Sequence, residues 1–192
     1  MNRPVGRTAL QTALSGYNPW DDTEKQHVRR MIEFIKAEPD CFERSLAKGH
    51  ITGSAWILNH SGTHAALVHH RKLDRWLQPG GHADGNKDIF DVARTEAMEE
   101  TGMENLLSTG EIFDVDVHLI PANKRDAAHY HYDIRFMFTA PKDAILKVSQ
   151  ESHEVRWIAA ESIEALTGYE PSILRMKEKW LSVKQKGEEQ IR

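Results

Sequence analysis

Apolar and polar residues alternate along two stretches in the middle of the chain. In residues 112–120 every second position is apolar, and acidic residues and a histidine lie between them. In residues 129–138 aromatic and aliphatic positions alternate with four polar ones, His129, His131, Asp133 and Arg135. A period of two residues is that of a β-strand. The pattern therefore predicts two strands, each with one polar face.

Shorter apolar segments predict the other strands. Residues 51–58 and 64–70 flank the turn residues 59–62, which is the pattern of a β-hairpin. Residues 76–78 predict a short strand that leads into a glycine pair, and residues 154–158 predict the last strand.

Apolar residues at helical spacing predict helices at both ends of the chain. Residues 8–14 predict a short helix, and residues 22–37 predict a second one with Asp21 or Asp22 as its N-cap. Residues 160–166 and 171–186 predict two C-terminal helices, the second with a frayed polar tail. Strands in mid-chain with helices before, between and after them predict a sheet covered by helices on both faces.

One further helix, predicted over residues 89–101, carries three glutamates close together. Asp88 and Asp91 have the spacing of an N-terminal capping box, and Gly102 supplies the left-handed residue that ends the helix. At about 100° per residue, the glutamates lie at the edge of the apolar arc or inside it. They are Glu96, Glu99 and Glu100, and the arc consists of Ile89, Val92, Ala93 and Ala97.

These glutamates have two interpretations. A solvated acidic face is the common one, but no lysine or arginine lies three or four residues from Glu99. Hard divalent cations such as Mg²⁺ or Mn²⁺ take oxygen ligands of this kind, so we favour a metal site. Gly80 and Gly81, interpreted as a turn, would let the backbone approach a ligand and direct the Gly80 carbonyl at the same metal.

The stretch from Gly81 to Met103 resembles the Nudix box, G-x5-E-x7-R-E-U-x-E-E-x-G-U, where U is a bulky apolar residue. The three glutamates, Gly102 and Met103 fall in register, whereas Lys87 replaces the box Glu and Thr95 replaces the box Arg. The flanking segments GHITGSAWILN, WLQPGGHADG, HYHYDIRF and ESHEVRW are also similar to one Nudix subgroup.

The resemblance implies an α+β fold, the α/β/α sandwich of the Nudix fold with a mixed β-sheet. We expect residues 1–192 to form a single Nudix domain, with residues 1–48 as an N-terminal helical extension packed on it. The resemblance also implies a metal-dependent hydrolase of a nucleoside diphosphate linked to another group, with Mg²⁺ or Mn²⁺ as cofactor.

The resemblance assigns roles to individual residues. Glu99 and Glu100 are the expected chief metal ligands with the Gly80 carbonyl, and Glu96 is a further ligand or the general base. Nudix enzymes often take another ligand or base from a loop late in the chain, which makes Glu154 or Glu151 a candidate. In the family the box Glu and Arg look like a charge pair that holds the catalytic glutamate. Without that pair we expect partial compensation, with Asp84 acting through Lys87.

The polar face of residues 129–133 has three interpretations. It is the solvent side of a half-exposed strand, a zinc-type metal site, or a wall that faces the substrate. We favour the wall, since imidazoles donate to phosphate oxygens. The predicted substrate-binding residues are His129, His131 and Asp133 of this wall, together with Arg71 and Gly81.

Composition narrows the class of protein. The 192 residues are 40% hydrophobic and 28% charged, which is typical of a globular domain. The net charge of −4 does not favour nucleic acid, and no apolar run predicts a membrane segment or a signal peptide. We expect a cytoplasmic protein whose partner is a small nucleoside diphosphate derivative, and a homodimer is compatible with the sequence.

Two other functions compete with hydrolysis. Loss of the box Glu and Arg favours a Nudix-fold module that binds a nucleotide without cleaving it, whereas retention of all three glutamates opposes it. A diphosphate isomerase would need an active-site cysteine. The single cysteine, Cys41, lies in the N-terminal extension and is expected to be a buried hydrophobe, so the isomerase ranks last.

Overall fold

A computed structural model of the protein describes residues 3–122 and 127–189. The chain divides into two compact units. The first unit comprises residues 1–55, 80–96 and 109–137, and the second comprises residues 56–79, 97–108 and 138–192.

The predicted helices and strands are present in the described residues. The helices are α1 (Arg7–Ser15), α2 (Asp22–Ala37), α3 (Ile89–Thr101), α4 (Ile163–Thr167, after a 3-10 turn at Ala160–Ser162) and α5 (Pro171–Glu189). The strands are β1 (Gly49–Leu58), β2 (His64–His70), β3 (Arg75–Leu77), β4 (Gly80–His82), β5 (Ile112–Ile120), β6 (His129–Thr139) and β7 (Ser152–Ala159). The end of the tail that we expected to fray lies outside the described residues.

In the first unit, β1 pairs with β6, and β6 pairs with β5 in antiparallel register. The first half of β1 also pairs antiparallel with β4, so that Thr52 lies opposite His82 and Ser54 opposite Gly80. Helix α2 packs on β5, and the buried carboxylate of its Glu24 accepts a hydrogen bond from the backbone N–H of Val115 at 2.9 Å. This contact ties the helical N-terminal segment to the sheet of the same unit.

In the second unit, the end of β1 pairs with β2, and β2 pairs with both β3 and β7. All three pairings are antiparallel. The buried indole rings of Trp56 and Trp180 pack at a centroid distance of 6.2 Å, which joins the sheet of this unit to α5.

The predicted α+β class with a mixed β-sheet is confirmed. The prediction of one domain with residues 1–48 as its extension stays a prediction. None of the helices in the part of the chain that the structure describes has the length and apolar character needed to cross a membrane.

The glycine turn predicted at Gly80 and Gly81 is wrong, because these residues form strand β4 with His82. A Cβ on Gly80 would lie 2.2 Å from Ser54 Oγ on the paired strand, so glycine is what permits this close pairing. The chain turns at the next residues instead, where Asp84 and Gly85 have positive φ angles of 47° and 83°.

Candidate functional site

Helix α3 begins and ends as its sequence predicts. The Asp88 carboxylate accepts a hydrogen bond from the Asp91 N–H at 3.1 Å, which caps the N-terminus. Gly102, with φ 67°, ends the helix. The predicted apolar arc is buried throughout, so the helix presents its glutamates from a fixed position.

The Glu96 carboxylate packs directly on β4. A Cβ on Gly81 would lie only 2.1 Å from Glu96 Oε1. A second glycine brings α3 close to β1, because a Cβ on Gly53 would lie 2.9 Å from the carbonyl oxygen of Ile89. Two glycines that face each other across β1 and β4 therefore make room for the helix and its carboxylate.

The other two glutamates continue along the same helix. Glu99 is exposed, whereas Glu100 is 9% exposed. Spacings of three and four residues place Glu99 and Glu100 one turn after Glu96. The donor atoms of this set are carboxylate oxygens, which fit a hard divalent cation.

The two departures from the Nudix box lie on the surface. Lys87 and Thr95 are both exposed, and the Lys87 carbonyl accepts a hydrogen bond from Gly6 N–H at 2.9 Å. The Asp84 carboxylate, which we expected to act through Lys87, instead forms a bidentate pair with Arg44 at 2.5 Å for each bond. The hydrogen bond from Arg44 lowers the pKa of Asp84. The expected route of compensation is therefore absent from the described contacts.

The polar face of β6 is a buried network in its second half. Asp133 is 2% exposed and accepts hydrogen bonds from Thr52 Oγ1 at 2.8 Å, from Ser54 Oγ at 2.8 Å and from Arg135 Nε at 2.7 Å. Arg135, 1% exposed, also forms ion pairs with Asp114 at 3.1 Å and Asp116 at 3.5 Å. This half of the face is therefore not a solvent side.

The charges in this network stabilise one another. Burial alone would raise the pKa of Asp116, but the Arg135 guanidinium, the hydrogen bond from His118 and the nearby His27 ring hold it well below its usual range. Burial alone would likewise lower the pKa of Arg135, but its three carboxylate partners raise it above its usual value. Arg135 is thus fully charged, as a buried cation with ionised partners must be.

The first half of the same face is a cluster of histidines. His131 lies beside His50 of β1 and His82 of β4, and ring nitrogens of all three lie within 4.8 Å of one another. Burial, together with the neighbouring histidines, lowers the pKa of His50 to about 4 and that of His131 to about 2. Both rings are therefore neutral at pH 7. Sequence reasoning missed His50 and His82, although the two-residue spacing of His50, Thr52 and Ser54 was a signal of a shared face.

His129 begins strand β6 in the first unit, whereas Arg71, Glu151 and Glu154 lie in the second unit. The exposed Arg71 donates from Nη2 to the Ser152 carbonyl at 2.9 Å. Glu154, on β7 opposite His69, is half-buried and pairs with Arg156, and Glu151 is exposed. Their roles in catalysis and substrate binding stay predictions, as do those of the residues above.

The mixed sheet, the glycine-packed helix α3 and its run of glutamates together define an α+β fold with an acidic helix at its candidate site. The family model described as the NUDIX domain matches residues 50–179. The chain therefore belongs to the Nudix family, and at the level of the family this confirms the expected hydrolase of phosphoanhydrides.

Solved structures share the fold at low sequence identity. An Ap4A hydrolase from C. elegans is 17% identical, with a TM-score of 0.53 and coverage of 69% of this chain and 96% of that one. A MutT protein from Methanosarcina mazei Go1 is 19% identical, with a TM-score of 0.54 and coverage of 72% and 97%. The E. coli dihydroneopterin triphosphate pyrophosphohydrolase is 12% identical, with a TM-score of 0.50 and coverage of 69% and 95%. No curated protein matched the sequence.

Proposed function

We propose that the protein is a metal-dependent hydrolase that cleaves the pyrophosphate bond of a nucleoside diphosphate linked to another group. The observation that carries this proposal is the packing of the Glu96 carboxylate against Gly81. It holds one carboxylate of α3 against the strand that also contains Gly80. Membership of the Nudix family supports the reaction class.

Glu99 and Glu100 are the proposed ligands of a Mg²⁺ or Mn²⁺ ion, with the Gly80 carbonyl as a further one. Oxygen donors of this kind fit the preference of both ions. Such an ion, when bound, offsets phosphate charge and lowers the pKa of the attacking water.

Glu96 is our first candidate for the general base. Its carboxylate would take a proton from the water that attacks phosphorus, and the contact with Gly81 restricts where that carboxylate can lie. Glu154 is the second candidate. Its carboxylate pairs with Arg156 on the same strand.

The proposed substrate is a small nucleoside diphosphate derivative in the cytoplasm. His129 and His131 would contact phosphate oxygens, with the buried Asp133 in the same predicted wall. Arg71 and Gly81 are further proposed substrate-binding residues. The names of two structural relatives mention Ap4A and dihydroneopterin triphosphate, which both contain a polyphosphate chain. Those names support a substrate of this class.

A screen of nucleoside diphosphate derivatives tests the proposal. Dinucleoside polyphosphates, nucleoside diphosphate sugars and nucleoside triphosphates are incubated with Mg²⁺ or Mn²⁺, and phosphate is measured after coupling to a phosphatase. We expect turnover of at least one compound and its loss in EDTA. Reaction in ¹⁸O-labelled water identifies the phosphorus that is attacked.

The competing function is a nucleotide-binding module without catalysis. It is favoured by the exposed Lys87 and Thr95, which take the positions of the box charge pair. Nucleotide binding in calorimetry without turnover of any compound would support this module and refute the hydrolase.

A further inference from the structure

Three strands of the first unit bring a histidine to the same place. His50 comes from β1, His82 from β4 and His131 from β6. One ring nitrogen of each lies within 4.8 Å of a ring nitrogen of the other two. His50 is 3% exposed, and the other two are half-buried. The cluster is thus an interior feature of the unit.

Strand register fixes this arrangement. His50 precedes Thr52 by two residues, and His131 precedes Asp133 by two, so both histidines lie on the face that contains the Thr52–Asp133 hydrogen bond. His82 lies directly opposite Thr52 in the β1–β4 pairing. The strand register therefore places the three histidine side chains on the same face, next to one another.

Several nitrogens of the cluster lack the hydrogen bonds expected of buried polar atoms. Both ring nitrogens of His50 and Nε2 of His131 are buried without a hydrogen-bond partner. Such groups are rare in native proteins, and a bound ion can satisfy them in place of a hydrogen bond. An imidazole lone pair that coordinates a cation needs no hydrogen-bond donor.

We propose that His50, His82 and His131 bind one divalent cation that prefers imidazole ligands, with Zn²⁺ as the first candidate. This site is distinct from the carboxylates of α3. Three nitrogen donors select Zn²⁺ over Mg²⁺, which prefers oxygen. Zinc–nitrogen bonds of about 2.0–2.1 Å place tetrahedral ligands roughly 3.4 Å apart. The ring nitrogens lie within 4.8 Å of one another, so binding requires the rings to rotate about their side-chain bonds until that separation is reached.

Water or His129 completes the coordination. The His129 ring lies 5.0 Å from that of His50 between centroids, and its Nδ1 lies 2.8 Å from the Ala127 carbonyl. A hydrogen bond from Nδ1 to a carbonyl fixes the tautomer in which Nε2 has the free lone pair, as metal-binding histidines require.

The cation would fix strand β4 to β1 and β6. His82 directly follows Gly81, on which the Glu96 carboxylate packs, so an ion on His82 restricts the strand that positions this carboxylate. The proposed role is therefore positional, and for His131 it replaces the substrate contact proposed above. The cation experiment does not depend on the proposed hydrolysis.

Cobalt substitution tests the site. The protein is stripped of metal with a chelator, dialysed and titrated with Co²⁺ alone, and the visible d–d absorption of four-coordinate cobalt is recorded. We expect one equivalent to produce these bands and Zn²⁺ to displace them. Co²⁺ on the carboxylates of α3 would be six-coordinate and weakly absorbing, so the spectrum separates the two sites.

Matched variants decide the assignment. His82→Ala and His131→Asn, both at half-buried positions, should weaken cobalt binding by at least about 100-fold, since even loss of a supporting hydrogen bond costs 10–100-fold. The exposed His60→Gln and the helix variant Glu99→Gln should retain the bands. Circular dichroism checks that each variant is folded. Absence of the bands in the wild type, their persistence in both ligand variants, or their loss in Glu99→Gln would overturn the proposal.

Discussion

Glu96 Oε1 lies 2.1 Å from the place that a Cβ on Gly81 would occupy. Gly81→Ala must therefore displace this carboxylate. Because the displaced atoms are the end of a flexible side chain, the free energy of unfolding should change by less than about 1 kcal/mol. Turnover should fall by about 100-fold, the usual effect of misplacing a catalytic group by 1 Å. Steady-state kinetics and urea unfolding of the same variant measure the two effects.

Gly16→Ala is the matched control for this variant. Gly16 has φ −92°, and an added Cβ would be 3.8 Å from its nearest neighbours. Neither activity nor stability should change. Equal turnover of Gly81→Ala and wild type would show that the contact does not position Glu96 for catalysis.

The carboxylates Glu99 and Glu100 should be needed for activity and dispensable for folding. Glu99→Gln or Glu100→Gln retains the size but removes a charge, so turnover should fall by about 100-fold or more. Stability of the metal-free protein should hardly change, because less like-charge repulsion offsets the lost contacts. The exposed Glu104→Gln is the control and should have wild-type kinetics. Turnover that survives in EDTA would refute the metal mechanism.

The sequence predicted the helices and strands well, because capping residues and apolar periodicity are properties of short stretches of the chain. The capping residues and Gly102 defined both ends of α3, and the two-residue period located β5 and β6. The alternation of apolar and polar residues could not show which other residues cover the polar face of a strand. On β5, Asp116 is buried, and its Oδ1 lies 3.1 Å from Nδ1 of His27, a residue of α2 that is distant in sequence.

The histidine cluster was missed for the same reason. Its members lie 32 and 49 residues apart along the chain, from His50 to His82 and from His82 to His131. Only strand register brings them together, and no local pattern encodes the register between β1 and β4. Even the glycine pair was misinterpreted as a turn, since glycine favours both a turn and a close strand contact.

Two variants separate the candidates for the general base. Glu96→Gln should lose turnover by at least about 100-fold at unchanged metal affinity if Glu96 takes the proton. Glu154→Gln should then retain most activity, and Glu151→Gln, at an exposed position, should match the wild type. The reverse pattern would assign the base to Glu154. Metal affinity is measured by Mn²⁺ titration, because loss of a ligand weakens binding and turnover together.

Arg135 should make a larger contribution to stability than any surface cation. Arg135→Met leaves three buried carboxylates without their cation, which should cost about 3–5 kcal/mol at pH 7. Arg94→Met is the control, since the Arg94–Asp91 pair is on the surface and worth less than about 1 kcal/mol. Urea unfolding measures both, and equal losses would contradict a special role for Arg135.

The effect of Arg135 should depend on pH in a defined direction. In the wild type the pKa of Asp116 is held below its unfolded value of about 3.9, so its contribution to stability is present above that pH and is lost below it. In Arg135→Met, burial would raise the pKa of Asp116. Protonation of this carboxylate as pH falls then removes part of the destabilisation of the variant. The difference in unfolding free energy between wild type and variant should therefore narrow between pH 7 and pH 4. A difference that widens would contradict this ion network.

Restoring the box charge pair should raise activity. Asp84 is bound by Arg44, and Arg94 pairs with Asp91 at 2.7 Å, so these residues are engaged away from Lys87 and Thr95. We therefore expect Lys87→Glu combined with Thr95→Arg to raise turnover by a few-fold, because the new ion pair would orient the neighbouring Glu96. Each single change adds or reverses one charge without a partner and should not raise it. A double-mutant cycle of kcat/KM measures the coupling between the two positions. If all three variants lose activity, another residue already orients Glu96, and the loose-site interpretation is wrong.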